Sequence, residues 1–150
     1  AMETIKKRAA ISKMRPDWII HYILCDRPSS HTHGVDKYGS LELELNLPVS
    51  DKKAAMILNL VGEAIAEKGR RYQSGDCEDG IFTLPFYLFE IKPAVPDSAF
   101  NRVLRILVCD PNGKYPWESG YDPDYAAQLN DSEKREMSRL YRHRYGTASN

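Results

Sequence analysis

The clearest signal along the chain is a change of hydrophobic period. From Ser40 to Leu47, Leu41, Leu43, Leu45 and Leu47 fall on one side, and Ser40, Glu42, Glu44 and Asn46 on the other. Period two predicts a strand with one buried face and one wet face, and it places Glu42 and Glu44 on the solvated side. After Pro48 the period becomes helical. Ala54, Leu58, Val61 and Ile65 recur at helical spacing, and Ile57, Leu60 and Ala64 widen the stripe. Ser50 is the expected N-cap, and Gly69 the expected left-handed stop. This helix is predicted to be the main core contributor, with the four leucines packed beneath it.

Weaker patterns flank it. Trp18 to Cys25 (WIIHYILC) is apolar on both faces, which predicts a central or doubly covered strand with His21 as a hydrogen-bonded core imidazole. Ile81 to Ile91 and Asn101 to Cys109 predict two further strands. Pro85 belongs at a bulge or an edge, because proline cannot donate to the ladder. Pro93 and Pro96 make Lys92 to Phe100 a loop. Arg70 to Gly80 is a polar connection whose Arg70 and Arg71 follow the negative end of the long helix. Asp131 to Tyr145 predicts a terminal helix capped by Asp131 or Ser132. Its narrow inner face carries Met137, Leu140 and Tyr141, and the rest is basic. Glu3 to Met14 predicts a short basic helix or arm.

Together these elements predict an α+β fold: a mainly antiparallel sheet of about four to five strands packed on one long central helix, with terminal helices. The expected organisation is a basic arm over residues 1–17, a core domain over 18–125, and a C-terminal helix and tail over 126–150.

Composition narrows the function classes. A chain of 150 residues suits one domain with a sizeable core. Its 21 basic and 21 acidic residues cancel, so no global field draws nucleic acid or an anionic membrane, and nucleic acid is an unexpected partner. Cys25, Cys77 and Cys109 form an odd set without a C-x-x-C pair, which fits a reducing cytosol. No apolar run approaches the roughly 20 residues of a membrane helix. Trp18 to Cys25, interrupted by His21, does not make a signal sequence. A cytoplasmic location is expected.

Two stretches carry candidate chemistry. Asp26 to Gly39 (DRPSSHTHGVDKYG) is turn-rich and is the best candidate for a functional loop. His31 and His33, two residues apart, share a face if the segment is extended. Zinc or another divalent metal needs at least three ligands with neutral nitrogen, carboxylate or thiolate donors. Asp36 is the candidate third ligand, with His21, Asp26 or a cysteine as further choices, and Tyr38 adds a binding group. The second stretch, Asp110 to Tyr125, opens with an Asp-Pro-Asn-Gly turn. It then interleaves Tyr115, Trp117, Tyr121 and Tyr125 with Glu118, Asp122 and Asp124. Tyr115, Trp117, Glu118 and Tyr121 are the binding candidates if the loop is a recognition surface. The same aromatics also fit a clasp laid over the sheet, and that reading is favoured.

HTHGVDKYG with its alternating strand, the helix after Leu47-Pro48, and LVCDPNGKYPWESGYDP together resemble an uncharacterised bacterial family, a domain of unknown function. Its signature is an aspartate and Asn-Gly turn followed by Pro-Trp-Glu-x-Gly-Tyr. The resemblance spans Trp18 to Asp124. It implies a small cytoplasmic α+β domain, and it lends no activity, substrate or catalytic residue.

The chain contains no G-x-G-x-x-G, Walker, G-x-S-x-G or H-E-x-x-H sequence, so no catalytic residue is assigned and no cofactor is required. The leading expectation is a non-enzymatic binding or interaction module that works through self-association or a protein partner. The alternative, from a different class, is a small metal-dependent hydrolase. It would use His31 and His33 as ligands and Glu42 or Glu44 as general base.

Overall fold

The computed structural model describes residues 17–23 and 27–146. The expected basic arm before Asp17, and Cys25 and Asp26, lie outside the described residues. In chain order the elements are β1 (Ile19–Ile23), β2 (Ser29–His33), a 3-10 turn (Val35–Tyr38), β3 (Leu43–Leu45), α1 (Asp51–Ala66), β4 (Asp76–Glu78), β5 (Phe86–Ile91), β6 (Val103–Leu107), a second 3-10 turn (Pro123–Gln128) and α2 (Asp131–Tyr145).

The fold is α+β, but the sheet is larger than expected and mixed. Six strands lie in the order β1-β2-β3-β6-β5-β4. β3 and β6 run parallel, and every other pair is antiparallel. A parallel pair needs a long crossover, and α1 with the β4–β5 hairpin supplies it. β4 comes from the polar connection after α1, where no alternation of apolar residues announces a strand.

α1 forms for local reasons. The Ser50 hydroxyl accepts from the Lys53 amide at 3.2 Å. At the far end Gly69 adopts φ 71°, and the Arg70 amide donates back to the Ala64 carbonyl at 3.0 Å. Arg71 donates to the Ile65 carbonyl at 2.9 Å, so the cation answers the helix terminus rather than a phosphate. The helix buries Ala54, Ile57, Leu58, Val61, Ala64 and Ile65 against Leu43, Leu45, Leu88, Leu104 and Ile106. Trp18 closes this core. Its indole donates to Asn59 Oδ1 at 2.8 Å, and its ring passes so close to Gly62 that a Cβ there would lie 2.6 Å from it.

Two expectations about strands are corrected. β1 is an edge strand, not a central one. Ile19 is 60% exposed, Tyr22 41%, and His21 is exposed as well. Apolar residues on both faces of a short strand do not say how many neighbours it has. Glu42, Glu44 and Asn46 are the second correction: they are buried, with 5%, 1% and 0% exposure. Their face of the sheet is not wet, because a second layer covers it. α2 packs there through Met137 against Phe89, Leu107 and Leu129. The Lys92 to Phe100 loop closes over the rest, with the Ala94 amide donating to Glu44 at 2.8 Å.

α2 begins at a capping box made by Asn130 and Glu133, not at Asp131 or Ser132. The aromatic loop is clasped onto the sheet. Trp117 stacks on Tyr141 with centroids 4.4 Å apart and on Tyr115 at 5.3 Å, and it meets Tyr87 edge-on at 4.7 Å. The loop is folded around Asp110, whose buried carboxylate accepts from the amides of Asn112, Lys114 and Asp122, each at 2.9 Å. Among the described residues, no helix is long and apolar enough to cross a membrane.

Candidate metal centre

Strand register sets His21, His31, Glu44, Arg105 and Phe89 in one row across five strands. Side chains alternate along each strand, so this row lies on the face turned away from α1. Its Phe89 end sits beneath α2. Its middle is ionic, and its open end is imidazole.

The ionic middle is a buried network. Arg105 is fully buried. It donates through Nε to Glu44 at 2.6 Å, lies 2.8 Å from Glu133 through Nη1, and donates to the Lys92 carbonyl at 3.2 Å. Arg27 meets the same Glu133 oxygen at 2.7 Å. Burial would raise the Glu133 pKa. The hydrogen bond and charge of Arg105, with the Asn130 amide and Arg27, hold it below the usual carboxylate range instead. Two carboxylates and two guanidiniums balance one another here, as buried charge requires.

Glu42 is equally committed. Its Oε1 accepts from the Thr32 hydroxyl at 2.8 Å and the Val35 amide at 3.1 Å. Its Oε2 accepts from the amides of Gly34 at 2.9 Å and Asp36 at 3.3 Å. Gly34 supports this turn with φ 119°, and a Cβ there would press on Trp18 at 3.0 Å. Glu42 thus fixes the chain immediately after His33.

The histidines stand on strands, not on a loop. His31 and His33 are two residues apart on β2 and share a face; His31 is 3% exposed. His21 faces His31 across the β1–β2 pair. Its ring lies 5.3 Å from that of His31 and 4.4 Å from that of His33. Asp97 reaches the group from the Lys92 to Phe100 loop. Its Oδ1 accepts from the Ala99 amide at 2.7 Å, while its Oδ2 lies 3.2 Å from His33 Nε2 and 3.5 Å from His31 Nε2. The two Nε2 atoms are 3.1 Å apart. Phe100 backs both rings at 5.4 and 5.2 Å. Each of His21, His31, His33 and Asp97 offers a ligand atom, and all four atoms lie within 4.8 Å of one another.

Burial lowers the His31 pKa first, His33 and His21 lower it further, and Asp97 offsets part of the fall. The Asp97 pKa is held below the ordinary aspartate value by the Ala99 amide, against burial and with help from His33 and His31. A neutral imidazole beside an ionised carboxylate is the state that ligates a metal.

The remaining sequence candidates lie elsewhere. Asp36, the expected third ligand, is outside the four-residue group. It sits on the 3-10 turn, where it lines a neighbouring cavity of about 430 Å³ with His33, Gly34, Glu42, Phe100 and Arg102. The Tyr38 hydroxyl donates to Asp17 at 2.5 Å. The contacts of Tyr115, Trp117, Glu118 and Tyr121 belong to the clasp. Tyr115 donates to the Pro85 carbonyl at 2.6 Å, Glu118 accepts from the Tyr115 amide at 2.8 Å, and Tyr121 bonds to Gln128. Asp97 was not a sequence candidate. It lies 64 residues from His33, in a loop without periodicity.

The chain matches no protein-family model, no curated protein and no solved structure.

Proposed function

We propose that this chain is a non-enzymatic metal-binding module whose His21, His31, His33 and Asp97 take one divalent transition metal, zinc first. The observation that carries this reading is the triangle of His31 Nε2, His33 Nε2 and Asp97 Oδ2, with sides of 3.1, 3.2 and 3.5 Å. Protons on two imidazole nitrogens serve three such contacts poorly, whereas one cation takes all three lone pairs at once. Tetrahedral zinc with bonds of about 2.0–2.1 Å separates its ligand atoms by roughly 3.4 Å, close to these distances. The set of three imidazoles and one carboxylate suits zinc and is open to other borderline metals such as nickel. The Ala99 amide on Asp97 Oδ1 supplies the outer hydrogen bond that orients a ligating carboxylate.

Four protein ligands fill a tetrahedron, which favours holding a metal over activating water. The carboxylates of Glu42 and Glu44 support the same preference, because each is bound up in holding the fold and neither is free to act as a base. The hydrolase reading retains two observations in its favour. His33 also lines the 430 Å³ cavity, and His21 is an exposed ligand on an edge strand. Water in place of His21 would leave a catalytic set of His31, His33 and Asp97.

The test is the metal content of untagged protein, measured by mass spectrometry beside His31→Ala/His33→Ala. One equivalent of zinc that vanishes in the double variant supports the proposal. Metal-free protein that also fails to take up added zinc, nickel or manganese refutes it. His21→Ala separates the two readings: weakened retention marks a four-ligand binding site, while unchanged retention with new esterase activity marks the hydrolase.

A further inference from the structure

α2 carries more positive charge than its ion pairs engage. Its acids are already engaged. Glu133 is shared between Arg105 and Arg27, Glu136 faces Arg102 at 4.0 Å, and Asp131 answers the positive end of the helix. Lys134, Arg135, Arg139 and Arg142 are exposed, and none of the ion pairs among the described residues involves them. Lys134 closes the first turn of the helix, where its dipole disfavours a cation, whereas Arg142 lies in the last turn, where the dipole favours one. Arg135 and Arg139 are like charges at i and i+4, a spacing that destabilises a helix. Arg135, Arg139 and Arg142 form one stripe about 10 Å long at ~1.5 Å rise per residue. With Ser138 they line a shallow, open face of the helix. Beside it lies a notch of about 80 Å³, walled by Pro116, Tyr121, Ala126 and Leu129 and bordered by Lys134.

We infer that this face docks an acidic polypeptide segment: aspartate and glutamate side chains on the arginine stripe, with a short apolar side chain in the adjoining notch. Charge complementarity is the argument, and guanidinium forks are built for paired carboxylate oxygens. Nucleic acid fits less well. No aromatic side chain lines this face for bases to stack on. The surface is independent of the metal reading, because no residue is shared between them.

The test uses the full chain and a short labelled peptide alternating aspartate and glutamate around one leucine, followed by fluorescence anisotropy. Binding at low salt that weakens with added salt, and that falls about tenfold or more in Arg135→Glu/Arg139→Glu/Arg142→Glu, is the expected result. The Arg→Gln triple variant, checked for its native circular dichroism, guards against a folding artefact and should lose most of the same affinity. Three results overturn the inference. One is an oligothymidylate probe that binds more tightly than the peptide through the same arginines. Another is self-association through them in sedimentation. The third is no binding of the peptide at low salt.

Discussion

Glu42→Ala tests whether the alternating strand is wet or buried on its polar face. A solvated glutamate can be removed at almost no cost. In the structure its removal strands four donors. The contacts of the Asp36 and Gly34 amides are only part-buried, so water can replace the lost oxygen there. Thr32 and Val35 are both 0% exposed, and water does not reach them. A stranded buried donor costs ~1–3 kcal/mol, so two give about 4 kcal/mol, a large share of a typical domain's 5–15. Glu42→Gln should be milder. Its remaining oxygen can still accept from Thr32 and Val35, while its new NH₂ opposes the two water-accessible amides, for about 1–2 kcal/mol. Urea unfolding followed by circular dichroism reads both values, and an unchanged m confirms that the shift in midpoint is a shift in stability. Glu42→Ala within about 0.5 kcal/mol of the parent protein would refute the reasoning, as would Glu42→Gln costing as much as Glu42→Ala.

Zinc at a hundredfold excess over its Kd should stabilise the protein by about 2.7 kcal/mol, a rise of roughly 5–10 °C in Tm for a chain of this size. Scanning fluorimetry should find that rise abolished in His31→Ala/His33→Ala and reduced in Asp97→Ala. Gly62→Ala improves helix propensity yet should destabilise by ~1–3 kcal/mol, because its Cβ would sit 2.6 Å from the Trp18 ring; in a Trp18→Leu background, where that clash is gone, adding Gly62→Ala should cost almost nothing further in thermal melts. Asp110 gives a pH prediction. Its burial is outweighed by the amides of Lys114, Asp122 and Asn112, so its folded pKa lies below the ordinary 3.8. Its stabilising contribution is therefore complete above about pH 4–5 and is lost as pH falls below 3.8 toward the folded value. The near-ultraviolet signal of the aromatic clasp should fall across that window, and in Asp110→Asn the fall should be weaker.

What the sequence made legible was local. α1 could be read with its caps because period, Ser50 and Gly69 all act within a few turns of one another. The shared face of His31 and His33 followed from their spacing, although the segment is a strand and not a loop. The burial of Glu42, Glu44 and Asn46 was hidden for a physical reason. Alternation says that two faces differ; it does not say that the polar one meets water. The cover over that face comes from a loop without periodicity and from α2, whose inner face is narrow. Asp97 was hidden by distance along the chain, and β4 by its polar residues. His21 was visible as a histidine on a strand, but its partners depended on which strand lay beside it.

The parallel pairing of β3 with β6 also sets an order of assembly. Glu44 and Arg105 are 61 residues apart, so this join must wait for a long-range closure, the slow kind of event in folding. The three histidines belong to one antiparallel pair of adjacent strands, and hairpins form in microseconds. Asp97 lies in the connection from β5 to β6 and is positioned only with the far half of the sheet. During synthesis, which proceeds from the N-terminus, all three imidazoles leave the ribosome before the carboxylate does. An ion met at that stage would be held by nitrogen alone, and its oxygen ligand would arrive as the last turn of the latch.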